Sequence, residues 1–129
     1  MAPIDKKAVS SERGFPAVGP YSPSIVVGGK VQFISGQLGA DPATGVLHDS
    51  LEQQVVQTFA NLQAVLEAAD MGFENIVKTT VFLRDMNDFA AMNEIYADYF
   101  GDTPPARSTI AVAGLPLGAL FEIEAIAVA

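Results

Sequence analysis

The chain has 129 residues, half of them apolar and 17% charged, with no cysteine and a formal net charge of −8. That length fits a single domain over 1–129, large enough to bury roughly two-thirds of its unfolded surface, and the composition excludes a disordered chain. Disulfides and thiolate chemistry are excluded, and seven basic residues against fifteen acidic ones argue against nucleic-acid binding, which needs a clustered basic face.

Residues 1–14 carry no apolar signal core, and Lys6-Lys7 reads as a solvated pair at a polar N-terminus. No run approaches 18 apolar residues, so the expectation is a cytoplasmic protein outside the membrane. Ile25–Val27 and residues 31–35 are β-branched runs separated by Gly28-Gly29, which predicts a hairpin with a tight turn. Gly36-Gln37-Leu38-Gly39 leads into a loop at 41–45 whose Asp, Pro and Gly suit turns. His48, the only histidine, reads as a surface residue; alone, it removes His-paired catalysis and most zinc arrangements. Ser50-Leu51-Glu52-Gln53 has the form of a capping box. Behind it Leu51, Val55, Phe59, Leu62, Leu66 and Ala69 keep helical spacing, predicting a helix that stops near Gly72.

Ile76–Leu83 is β-branched with one charge, as expected for a strand buried on both sides. Asn87 or Asp88 then caps a second helix with Phe89, Met92, Tyr96, Tyr99 and Phe100 on one face and Gly101 as its stop. That aromatic stripe reads as core rather than as a ligand platform. Strands follow over 107–112 and 120–128, joined by the Gly/Pro-containing loop 113–119. The fold class is therefore α+β: a mixed sheet with two helices that cover one face and leave the other to be covered. Low charge in so small a chain agrees with cover by another subunit.

Arg107 is the only basic residue between Asp85 and Ala129. Its permanently charged, planar fork requires a partner, either a protein glutamate or the carboxylate of a small substrate. In the last strand Phe121, Ile123, Ala125 and Ala127 share one face, and Glu122, Glu124, Ile126 and Val128 share the other. The first set belongs under the helices. The second puts two carboxylates on the uncovered face, where desolvation raises a pKa unless a cation compensates. Arg107, read as opening a neighbouring strand, is the available cation. A plain intersubunit salt bridge and a water-activating site both fit this pattern.

Further segments match a known pattern: residues 16–22 (Pro-Ala-Val-Gly-Pro-Tyr-Ser), Ile34-Ser35-Gly36-Gln37 with Asp41-Pro42-x-Thr44-Gly45, and Ile76-Val77-Lys78-Thr79-Thr80-Val81. Asn87-Asp88-Phe89, Asn93-Glu94-Ile95-Tyr96, Pro105-Ala106-Arg107-Ser108 and residues 122–127 (Glu-Ile-Glu-Ala-Ile-Ala) continue it. In this order the chain resembles the Rid (YjgF-type) family over essentially its whole length. The resemblance implies a chorismate-mutase-like fold with two helices on one face of the sheet. It also implies a homotrimer with a central barrel-like core and active sites between protomers. The RidA-type activity it implies is hydrolysis of reactive 2-imino acids, such as 2-iminobutanoate and 2-iminopropanoate, to 2-oxo acids and ammonia, with no cofactor or metal.

Carried over residue by residue, Arg107 holds the substrate carboxylate and Glu122 activates the attacking water. Tyr21 reaches the cleft to hydrogen-bond the imine nitrogen or water, and Gly36 and Asn93 line the pocket. Thr109 stands where several members carry cysteine; the contact there runs mainly through the backbone, so the substrate-binding role is kept and any thiol side reaction is lost. Glu124 reads as a structural partner on the same face, and Phe121 as a bulkier residue packed below the acid. The alternative is a non-catalytic trimeric module that binds small carboxylates such as 2-oxo acids. Ribonuclease activity, also attributed to members, finds no basic stripe with interleaved aromatics here.

Overall fold

In the computed structural model, which describes residues 5–14 and 17–129, the capping box forms as expected. Ser50 Oγ accepts from the Gln53 amide at 3.1 Å, and Gln53 Oε1 accepts from the Ser50 amide at 3.5 Å. Pro16, which opens the first matched segment, and residues 1–4 lie outside the described residues. Helix α1 runs Leu51–Glu67 and fully buries Val55, Phe59, Leu62 and Leu66, each contributing about 1.5–3 kcal/mol of apolar burial. It stops short of Gly72. Asp70 takes the left-handed conformation (φ 59°), and the Met71 amide closes on the Leu66 carbonyl at 2.9 Å.

Helix α2, Phe89–Ala97, is entered through a 3₁₀ turn at Met86–Asp88. The capping oxygen belongs to Asp85, which accepts from the Asn87 amide at 2.9 Å, rather than to Asn87 or Asp88. Met92 and Tyr96 are fully buried. Tyr99 lies beyond the helix and stacks on Phe59 with ring centroids 4.0 Å apart.

The chain first forms strands β1 (Lys6–Ala8) and β2 (Ile25–Val27), then β3 (Val31–Leu38), β4 (Ile76–Leu83), β5 (Ala106–Ala111) and β6 (Phe121–Val128). The last four make one sheet in the order β3-β6-β4-β5. Strand β6 is antiparallel to both neighbours, and β4 and β5 are parallel. It follows that β3 and β4 also run parallel, so α1 and α2 each span a crossover of the kind parallel strands require. The core beneath the helices is closed by Ile34, Ile76, Val81, Leu83, Phe121, Ile123, Ala125 and Ala127. The alternation read for the last strand is therefore the observed one.

Three expectations about the strands are corrected. The hairpin over 25–35 is not made: β2 pairs with β1, a strand where a solvated end was expected, while β3 pairs with β6. At the hand-over the Lys30 amide donates to the Ala129 carbonyl at 2.7 Å and the Ala129 amide donates back at 2.9 Å. Gly29 has φ +143°, and a Cβ there would stand 2.5 Å from the Ala129 carbonyl oxygen. Gly29 thus serves close approach to Ala129, and β6 offers β3 a longer apolar partner than three-residue β2. Secondly, β4 is buried on one face only: Thr79, Val81 and Leu83 lie under the helices, whereas Lys78, Thr80 and Phe82 are half-buried on the other face. Thirdly, β5 lies on the far side of β4 from β6, so Arg107 does not open a strand beside Glu122.

The helix-free face carries Phe33, 78% exposed, and a shallow cavity of about 350 Å³ lined by Ser35, Lys78, Thr80, Glu124 and Ile126 among others. Of the two carboxylates on this face it takes in Glu124 but not Glu122.

Candidate functional site

Arg107 pairs in register with Thr79, whose side chain is fully buried under the helices, so its own side chain emerges on the helix side of the sheet. There α2 presents Phe89, Asn93 and Tyr96, spaced four and three apart and hence on one helical face. Asn93 Oδ1 accepts from Arg107 Nη1 at 2.8 Å. The guanidinium carbon stands 4.7 Å from the Tyr96 ring centroid, 5.4 Å from Tyr21 and 5.7 Å from Phe89. Each such cation–π contact contributes about 0.5–2 kcal/mol, depending on desolvation. Burial lowers the guanidinium pKa, with the phenols of Tyr96 and Tyr21 acting the other way, yet an arginine keeps its charge. Among the described residues no carboxylate pairs with it.

Tyr21 is brought to this cluster by its backbone. The Ser22 amide donates to the Pro105 carbonyl at 3.1 Å, Ser22 Oγ donates to the Pro104 carbonyl, and Ser22 bridges Ala106 in parallel register. The phenol oxygen accepts from the Val18 amide at 3.3 Å. Gly19 completes the corner: a Cβ there would lie 3.5 Å from both the Arg107 fork and the Tyr21 ring. Thr109, opposite Val81 on the same face as Arg107, has a buried hydroxyl with no hydrogen-bond partner among the described residues.

Glu122 forms a second cluster. It pairs with Phe82, three residues from Thr79 along β4, and so emerges on the opposite face of the sheet from Arg107. Between Ile34 and Gln37 strand β3 bulges by one residue, bringing Gly36 over the acid. A Cβ on Gly36 would stand 1.9 Å from Glu122 Oε2, so only glycine leaves room for this carboxylate. Burial, and secondly the charge of Glu124, push the Glu122 pKa above the ordinary glutamate value.

A family model described as Endoribonuclease L-PSP matches residues 12–129. The chain belongs to this family, the YjgF/Rid family. The 2-iminobutanoate/2-iminopropanoate deaminase of Mus musculus is 46% identical over 129 residues, covering 99% of this chain and 95% of its own. A RutC family protein of Pyrococcus horikoshii is 45% identical over 123 residues, covering 95% and 97%. The crystal structure of RidA from the Antarctic bacterium Psychrobacter sp. matches with a TM-score of 0.76 at 38% identity, covering 95% and 99%. The α+β arrangement of two helices and a mixed sheet is thus that of solved YjgF/Rid structures.

Of the residues named from the sequence of this YjgF/Rid chain, Arg107, Asn93 and Tyr21 meet, with Thr109 two residues along the strand, and Glu122 meets Gly36. The two groups do not meet within the chain. Sequence spacing assigns Phe89 and Tyr96 to the core; their second role, facing a cation, is signalled only by the helical face they share with Asn93. Among the described residues no group of three or more His, Asp or Glu is placed to hold a metal ion, and no helix is long and apolar enough to cross a membrane.

Proposed function

We propose that this protein is a deaminase that hydrolyses small 2-imino acids to 2-oxo acids and ammonia without a cofactor. The observation that carries the reading is Arg107: a half-buried guanidinium braced by Asn93 and three rings, with no carboxylate paired to it among the described residues. A small substrate carboxylate suits the free edge of that fork, with a charge-assisted pair contributing about 1.5–3 kcal/mol. The mouse relative, a 2-iminobutanoate/2-iminopropanoate deaminase, supports the imine as substrate.

In this reading the site is shared. Arg107, Asn93 and Tyr21 of one protomer face Glu122 and Gly36 of the next in a homotrimer whose bare sheet faces pack together. Arg107 fixes the carboxylate and Glu122 takes a proton from water as its oxygen bonds to C2 of the imine. That proton passes to nitrogen to give an amino alcohol at C2; the hydroxyl proton then moves through Glu122 to the amino group as the C–N bond breaks, so ammonia leaves and C2 becomes the carbonyl of the 2-oxo acid. Tyr21 hydrogen-bonds the nitrogen or the water. General-base assistance of this kind is worth about 10²–10⁴-fold.

The test generates 2-iminobutanoate with an amino-acid oxidase and follows its loss. The protein accelerates the loss, Arg107→Ala removes the acceleration, and Arg107→Lys restores a fraction because a point charge does not reproduce the fork. Unchanged turnover in Arg107→Ala would reject the role given to it. Binding of 2-oxobutanoate without imine turnover would favour the carboxylate-binding module instead. The endoribonuclease description of the family is not carried over, because seven basic residues against fifteen acidic ones provide no phosphate-tracking surface.

A further inference from the structure

Beneath Arg107 the core contains one polar pair. Thr79 Oγ1 and Tyr96 Oη are 2.7 Å apart, and both residues are fully buried. Thr79 is the register partner of Arg107 on the adjacent strand, and Tyr96 supplies the ring nearest the guanidinium. A phenylalanine would fill the same core volume without burying a phenol. The hydroxyl does one thing a phenyl cannot: it ties the far end of the ring to the strand that neighbours Arg107, and so fixes where the ring sits.

We infer that Thr79 and Tyr96 are positioning residues for Arg107, their buried hydrogen bond fixing the ring against which the guanidinium lies and so aiming its fork at the substrate carboxylate. This rests on the deaminase reading above. Asn93, one turn earlier on α2, fixes the guanidinium in its own plane through Nη1, and the pinned ring fixes it perpendicular to that plane. Burial raises the Tyr96 pKa to about 12, so the phenol keeps its proton, and the bond its form, throughout the neutral range.

The experiment titrates the full-length protein with 2-oxobutanoate and measures steady-state turnover of 2-iminobutanoate on the same samples. Tyr96→Phe and Thr79→Val each raise the Kd for 2-oxobutanoate about fivefold, the factor expected for one hydrogen bond. KM rises in step while kcat changes less, the pattern of lost binding rather than lost chemistry. The double variant is no worse than either single variant, because both remove the same bond. Thr79→Ser, which keeps the hydroxyl, binds like the parent. If both single variants bind 2-oxobutanoate like the parent while Arg107→Ala does not bind it, the pair serves only the core and the inference is overturned. If Arg107→Ala itself binds normally, the deaminase reading fails first and takes this inference with it.

Discussion

Arg107 and Glu122 stand on opposite faces of one sheet: the first shares the face of Thr79, the second that of Phe82, three positions along β4. No rotamer of either side chain passes through a hydrogen-bonded sheet. Chemistry that needs both groups must therefore draw them from two protomers.

The first prediction follows directly. Arg107→Ala and Glu122→Gln are each inactive, but unfolding and refolding them as a 1:1 mixture restores imine hydrolysis. With random assembly about one interface in four pairs an intact arginine with an intact glutamate, so recovery reaches about a quarter of the parent rate. A refolded mixture as inactive as its components would exclude a shared site.

Gly36 offers a second check on the acid. Gly36→Ala places a methyl group where Glu122 Oε2 now lies, 1.9 Å from the built Cβ, and expels the carboxylate from its position. The variant loses about 10²-fold or more in kcat, resembling Glu122→Gln, and combining the two changes adds little. Near-parent turnover in Gly36→Ala would mean that Glu122 acts from another position, or not at all.

What the sequence made legible was local. The Ser50–Gln53 box, the buried stripe of α1 and the two faces of the last strand follow from chemistry and period within a few residues. Strand order does not. Local spacing predicts a hairpin between Ile25–Val27 and residues 31–35, whereas Val31–Leu38 pairs with the distant Phe121–Val128, which buries more apolar length. The same non-locality hid the environment of Arg107: helical spacing placed Phe89, Asn93 and Tyr96 on one face, but not which strand would lie under them. Asp70 ended α1 because a left-handed residue was needed before the apolar Met71, a requirement without a signal of its own.

Two glycines separate close approach from mere flexibility. A Cβ on Gly39 would meet the Gln54 backbone at 2.4 Å, where α1 packs against the end of β3, and backbone has nowhere to yield. Gly28 has nothing within 4 Å and is not in the left-handed region. Urea unfolding therefore shows Gly39→Ala destabilised by about 1–3 kcal/mol, the cost of overpacking, and Gly28→Ala within about 0.5 kcal/mol of the parent. Equal midpoints for the two variants would contradict the packing described.

The pH dependence carries the last prediction. Glu122 has its pKa raised first by burial and second by the neighbouring charge of Glu124. A general base works only when unprotonated, so the enzyme-dependent rate falls as pH drops through a value above that of an ordinary glutamate, about 4.3. Glu124→Gln removes the second cause; the acid limb of kcat/KM moves to lower pH while the plateau above it holds. Stability follows the opposite sense. Because the folded pKa exceeds the unfolded one, the contribution of Glu122 is fully present below the unfolded pKa and is lost as pH rises through the folded value. Glu122→Gln consequently gains stability relative to the parent only on the alkaline side of that window. Rates of 2-iminobutanoate loss, corrected for spontaneous hydrolysis at each pH, give the limb; urea midpoints on the same buffers give the stability. An acid limb that Glu124→Gln leaves in place would remove Glu124 from the electrostatics of the base.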